Sequence, residues 1–240
     1  MASPRLATFK LFLIIVALAI AGPGHAPKGV IATDPDPQQD FCIADLTAAG
    51  PGPTHARTQH SPPPKTLHFP DLQTPLISLA IQLALPLPHS AFFRDWPALN
   101  TLGLGLVRLD INPGGFIMPH THSLATEILF CLEGEIYTGC VTNSDNPTRP
   151  NKLYAKVVKK GEAFIFPRGL LHFQLNKGTV PAVSLHVLNG QNPGTQLMPV
   201  ALFGVGIDPD PELLAKSFFI SETQVADLES ILSQFVHVLD

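Results

Sequence analysis

Between Thr101 and Leu188 the chain alternates short apolar runs with turn residues. Thr101 to Ile111 partly alternates and ends at Asn112-Pro113-Gly114-Gly115. Ile128 to Leu132 and Ile136 to Val141 flank Glu133-Gly134-Glu135, and the series continues through Tyr154 to Val158, Ala163 to Phe166, His172 to Leu175 and Ala182 to Leu188. Runs at this spacing, punctuated by Gly and Pro, predict the strands of an all-β sandwich or barrel. The two runs around Glu133-Gly134-Glu135 read as a hairpin in which Cys131 faces about Tyr137, not Cys140.

The pattern changes period near the C-terminus. Asp210-Pro211-Glu212 supplies an N-cap, a first-turn proline and an acidic first turn for a short helix through about Phe218. Ser221 and Gln224 have capping-box spacing. Behind them Val225, Leu228, Leu232, Phe235 and Leu239 form one apolar helical stripe, which must pack on the barrel or on a neighbouring subunit.

The first third is different. Arg5 and Lys10 precede an uninterrupted apolar run from Leu11 to Ala21, shorter than the roughly 20 residues a membrane span needs. A charged flank, a short apolar run and small residues fit a signal peptide better than a buried core helix. Cleavage could follow Ala19-Ile20-Ala21 or Val30-Ile31-Ala32, and the exposed-looking Thr33-Asp34-Pro35-Asp36-Pro37 favours the second. No later run is long enough to span a membrane. From Ala48 to Pro97 prolines recur so often that extended loop is expected, with Leu76 to Leu85 a candidate strand. His55, His60, His68 and His89 lack ligand-like spacing and read as solvated loop residues.

Composition sharpens this division. Only 14% of the 240 residues are charged and 25 are proline, both unusual, while 45% hydrophobic residues argue against disorder. More than half of the prolines lie between Pro23 and Pro97. A formal charge of −4 argues against nucleic-acid binding. Residues 1–32 hold three basic residues and no acid, so the remainder carries 12 basic against 19 acidic residues, a charge of −7. Three cysteines are too few for a disulfide-dense scaffold.

The candidate chemistry lies in the regular region. His120-Thr121-His122 puts two imidazoles on one face of a strand. Glu127 follows after a gap that can turn the chain, and His172 follows Pro167-Arg168-Gly169. Three imidazoles and a carboxylate suit a divalent transition metal. A His-x-His pair alone would be weak; Glu127 and His172, framed by turn glycines, make metal binding the reading. Gly103-Leu104-Gly105 lacks the third glycine of a dinucleotide fingerprint, and His186, in an apolar strand, reads as a satisfied core histidine rather than a fifth ligand.

Two stretches carry a resemblance. Gly114-x5-His120-x-His122-x4-Glu127-x6-Gly134 and Gly161-x5-Pro167-x-Gly169-x2-His172-x3-Asn176 resemble the two cupin boxes of the germin-like proteins. Asp34-Pro35-Asp36-Pro37 with Asp40-Phe41-Cys42-Ile43-Ala44-Asp45 resembles a mature germin N-terminus, and Ala98 to Gly103 and Gln191-Asn192-Pro193-Gly194 are further family-like runs. The resemblance covers residues 33 to 46 and about 97 to 238. It implies an all-β cupin jelly-roll β-barrel with C-terminal α-helices, and manganese held by His120, His122, Glu127 and His172. It also implies a secreted, apoplastic plant protein assembled as a homo-oligomer, a trimer or a hexamer. The expected organisation is a signal peptide (1–32), an N-terminal arm with a divergent Pro-rich segment (33–96), the barrel (97–208) and a helical segment (209–240).

The departures matter as much. The family usually pairs the cysteine matching Cys42 with another in the arm, and none occurs here before Cys131. Cys131 and Cys140 read as buried small apolar residues. No glycosylation sequon is present. Members that oxidise oxalate carry asparagines at the positions of Val107 and Ile117; the apolar residues here leave a dicarboxylate without donors, so oxalate oxidase activity is not expected. Two functions remain open. One is a superoxide dismutase-like activity with a small anion or superoxide at the metal, serving defence in the apoplast. The other is a non-catalytic, metal-stabilised cell-wall or receptor-like binding protein. Neither involves nucleic acid or a membrane span.

Overall fold

The computed structural model describes residues 43–44, 56–57, 64–70, 72, 89–144, 148–204 and 209–236. The expected signal peptide, Cys42 and the candidate strand Leu76 to Leu85 lie outside the described residues. Two short strands, β1 (Ile43–Ala44) and β2 (Ala56–Arg57), pair with each other. Ten more build two five-stranded antiparallel sheets. They are β3 (His89–Ala91), β4 (Gly105–Ile111), β5 (Phe116–His122), β6 (Glu127–Glu133), β7 (Glu135–Val141), β8 (Leu153–Lys159), β9 (Ala163–Phe166), β10 (Leu171–Leu175), β11 (Ala182–Leu188) and β12 (Thr195–Leu197). One sheet has the order β12-β5-β10-β7-β8 and the other β3-β4-β11-β6-β9. The fold is an all-β jelly roll, and among the described residues the α-helices lie at the C-terminal end.

The expected hairpin is a correction. β6 and β7 lie in different sheets, so the Glu133-Gly134-Glu135 turn crosses between them. Cys131 pairs with Ser184 on β11, and Tyr137 with Val157 on β8 and Leu175 on β10. The crossing is sharp: Gly134 has φ +69, and a Cβ there would come within 2.7 Å of the Pro181 carbonyl oxygen. Only glycine meets both demands without strain. Sequence periodicity shows two strands and a turn, but not whether the strands pair or part.

Inward positions of both sheets form one apolar core. Leu109, Ile111, Leu129, Cys131, Ile136 and Cys140 are buried within it, and both cysteines are free thiols. A second cluster lies outside the barrel. There Met118 of β5 meets Val200 and Phe203 of α1 (Met198–Phe203), Leu214 of α2 (Pro211–Phe218), and Val225 and Leu232 of α3 (Glu222–Val236). The helix starts follow their sequence signals. Asp210 accepts from the amides of Glu212 and Leu213; Ser221 Oγ accepts from the Gln224 amide at 3.2 Å, and Gln224 Oε1 accepts from the Ser221 amide at 2.9 Å. Leu228 packs on the same cluster, whereas the side chains of Phe235 and Leu239 lie outside the described set. Helix α1 and strands β3 and β12 had no periodic signal, because short segments are held by what they pack on.

Candidate metal centre

β5 and β10 are neighbours, with His120 directly opposite His172. The next matched pair is Ile117 with Gln174, so β5 holds one extra residue there, a bulge. The exposed Pro119 sits in it, where a missing amide proton costs no ladder bond. The bulge lets Ile117 and the two histidines pack inward while Met118 packs outward on the helices. Beyond His122 the chain must cross to the opposite sheet to reach Glu127. Its connecting loop is tied at several points. The Gly169 amide donates to His122 O (2.9 Å), Arg168 Nε to Ser123 O (2.8 Å) and the Leu124 amide to Pro193 O (2.9 Å). Asn189 Oδ1 accepts from the Thr126 amide at 2.7 Å. Glu127 then opens β6 pointing inward.

The structure brings His120, His122, Glu127 and His172 together, each buried, with one candidate donor atom apiece and all four atoms within 4.8 Å of one another. The imidazoles are oriented through their outer nitrogens. His120 Nδ1 lies 2.8 Å from Met118 O and His172 Nδ1 2.8 Å from Leu170 O. A carbonyl only accepts, so Nδ1 carries the proton in both rings and Nε2 offers a lone pair inward. His122 Nδ1 lies 3.1 Å from Thr195 Oγ1. Phe166 stacks on His172 with centroids 4.4 Å apart, fixing the ring plane.

The inward atoms test the fit to a cation. Glu127 Oε2 is 2.8 Å from His122 Nε2 and 3.2 Å from His172 Nε2. With the His172 proton on Nδ1, its Nε2 and the carboxylate oxygen are both acceptors at contact distance, an arrangement a divalent cation relieves. Burial, reinforced by the neighbouring His172 and His122, pushes the His120 pKa down to about 3, so this ring is neutral and free to ligate. For Glu127 burial acts to raise the pKa, but the surrounding imidazoles of His122, His172 and His186 outweigh it and hold the carboxyl well below its ordinary value. The residues fit a metal.

Two neighbours escaped the sequence reading. His186 is buried and satisfied as expected, but Glu127 Oε1 is one of its partners, through a short hydrogen bond from Nδ1. Ser184 Oγ lies 2.8 Å from its Nε2. The available signal was alternation: Ser184 and His186 share the inward face of β11. Gln174 is 1% exposed, and neither atom of its amide has a hydrogen-bond partner. It stands two residues beyond His172 on the same strand, hence on the same inward face. Of the two positions used to argue against oxalate, Val107 lies opposite His186, and both Val107 and Ile117 pack against the apolar core.

The chain matches the cupin family model over residues 89–226. It is also 38% identical to Germin-like protein subfamily 1 member 7 of Arabidopsis thaliana, covering 94% of this chain and 96% of the relative. The chain belongs to the germin-like cupins. This germin-like cupin is likewise 38% identical to oxalate oxidase GF-2.8 of Triticum aestivum, over 83% of this chain and 87% of that one. Among solved structures, recombinant oxalate oxidase in complex with glycolate superposes with TM-score 0.70 at 33% identity, covering 84% of this chain and 99% of the other. Among the described residues no helix is long and apolar enough to cross a membrane.

Proposed function

We propose that this germin-like cupin is a secreted, manganese-binding protein with superoxide dismutase-like activity in the apoplast and a role in defence. The carrying observation is the set of four inward donors, His120, His122, Glu127 and His172, within 4.8 Å and with two imidazole tautomers set by backbone carbonyls. Bound there, manganese would supply one-electron chemistry and open coordination positions for a small anion. The chain's own contribution is to aim three imidazoles inward, two of them with the lone pair already on the inward nitrogen, and to neutralise part of the ion's charge with Glu127. Gln174, on the same strand and inward face as His172, has an unpartnered amide N–H group to donate to such an anion. Val107 and Ile117, packed against the apolar core, offer it no donor.

The same environment speaks against oxalate. One neutral amide does not compensate the burial of two carboxylates, each of which costs several kcal/mol unless paired (a penalty on the order of that for any buried ion). Assembly into a trimer or hexamer is supported by apolar side chains left outside. Ile128 lies beside both Val187 and Ile165 on the outer face of one sheet, all 41–55% exposed. The deciding experiment is metal analysis of purified secreted protein with parallel superoxide and oxalate assays. Stoichiometric manganese, superoxide dismutation and no oxalate turnover are expected. Stoichiometric manganese without dismutation would leave the non-catalytic cell-wall or receptor-like protein as the function.

A further inference from the structure

We propose that His186, backed by Ser184, is a positioning residue that presents Glu127 to the metal through a single oxygen; this rests on the metal reading above. The carboxylate is divided between two sets of partners. Oε1 accepts from His186 Nδ1, while Oε2 faces His122 Nε2 at 2.8 Å and His172 Nε2 at 3.2 Å. An oxygen already engaged by a hydrogen bond is the weaker donor of the two, so Oε2, which faces His122 and His172, is the one presented to the ion.

The register explains why His186 can do this. On β11, Leu188 lies opposite Glu127 and His186 opposite Leu129 on β6, so the imidazole is the inward diagonal neighbour of the carboxylate. Ser184, one inward position further, hydrogen-bonds Nε2 at 2.8 Å. A serine hydroxyl donating to Nε2 leaves the ring proton on Nδ1, where Glu127 needs it. On the other flank Val107 faces His186 across β4 and supplies no competing polar group. The three metal-facing histidines use their outer nitrogens on Met118 O, Leu170 O and Thr195 Oγ1, and none of them touches Oε1. His186 is therefore the partner that decides the carboxylate's denticity. Holding it to one oxygen keeps a coordination position open for a small anion, and a hydrogen bond to the other oxygen tunes the carboxylate as a donor.

A merely structural histidine would affect stability but not the ion. The test uses the full mature protein loaded with Mn(II), comparing wild type, His186→Leu, His186→Asn and Ser184→Ala. The readouts are Mn(II) affinity by competition with a chelator and the low-temperature electron paramagnetic resonance spectrum. His186→Leu should weaken binding by about 10–100-fold, the usual range for losing an outer-shell partner, and change the spectrum. His186→Asn keeps an N–H near the position of Nδ1 and should restore most of both; Ser184→Ala should shift both in the same direction by less. Wild-type affinity and spectrum in His186→Leu overturn the proposal. So does a loss that asparagine does not rescue, because it would report packing. Should His186→Leu fail to fold, Ser184→Ala decides, with an unchanged affinity and spectrum overturning it. Wild-type protein that binds no Mn(II) would instead remove the metal reading itself, an outcome distinct from variants that bind as wild type does.

Discussion

The two walls of the site are held by different means. On the wall built from β5 and β10, His120 and His172 each lean on the carbonyl two residues back in the chain, Met118 O and Leu170 O. These are backbone contacts of neighbouring residues, independent of any other element. On the facing wall, Glu127 is fixed by His186, 59 residues away in sequence and brought there only by the pairing of β6 with β11. His122 stands between the two cases: it shares β5 with His120, yet its outer nitrogen depends on Thr195 of β12. A ring whose outer nitrogen is anchored locally keeps that hydrogen bond through substitutions in other strands, while one anchored across a sheet inherits the fate of its partner.

That contrast can be broken outright or graded. The largest effect is expected from His122→Ala, which removes one inward donor. Bound manganese should fall from stoichiometric to background, measured on the purified protein, and metal retained at full occupancy would contradict the ligand set. Acid should act next. Between about 6.5, the ordinary histidine value, and about 3, the unfolded chain takes a proton at His120 that the folded chain refuses. Glu127, whose pKa is depressed, stabilises the fold above 4.5 and loses that contribution as the pH falls further. Both signs agree: the melting temperature of metal-free protein should decline as pH drops from 6.5, and a flat or rising profile would refute the assignment.

Thr195→Val probes the intermediate case. It removes the hydroxyl beside His122 Nδ1 while keeping volume, and should lower metal affinity by up to about tenfold, the low end for such partners. No equivalent substitution exists for His120 or His172, whose partners are carbonyls. Gln174→Leu should be the mildest. Replacing an unpartnered buried amide with an apolar side chain should raise stability by about 1 kcal/mol in denaturant melts, with metal affinity unchanged and small-anion affinity reduced.

Much of this was legible beforehand where local chemistry is strong. Ala163 to Phe166 and Ala182 to Leu188 emerge as strands with those ends, and the caps at Asp210 and Ser221 form as their residue types dictate. The alternation of His120 with His122 placed both rings on one face. The failures share a cause. The Glu133-Gly134-Glu135 turn looks like any tight hairpin in one dimension, and only the crowding of Gly134 against Pro181 reveals a crossing between sheets. Likewise His186 has the surroundings of a core residue, because a mostly apolar strand reads the same whether a polar side chain in it meets solvent, a cavity or a carboxylate.

The amino-acid sequence by itself determined most of the barrel strands, the two capped C-terminal helices and the four candidate donors, since periodicity, capping and ligand type act over a few residues. Tertiary structure alone decided which strands pair, that β5 bulges at Pro119, that Thr195, Ser184 and His186 converge on the donors, and that Gln174 is left unpartnered. Those outcomes depend on contacts between residues far apart in the chain, and a hydrogen bond across the barrel has no signature in the order of residues on either side.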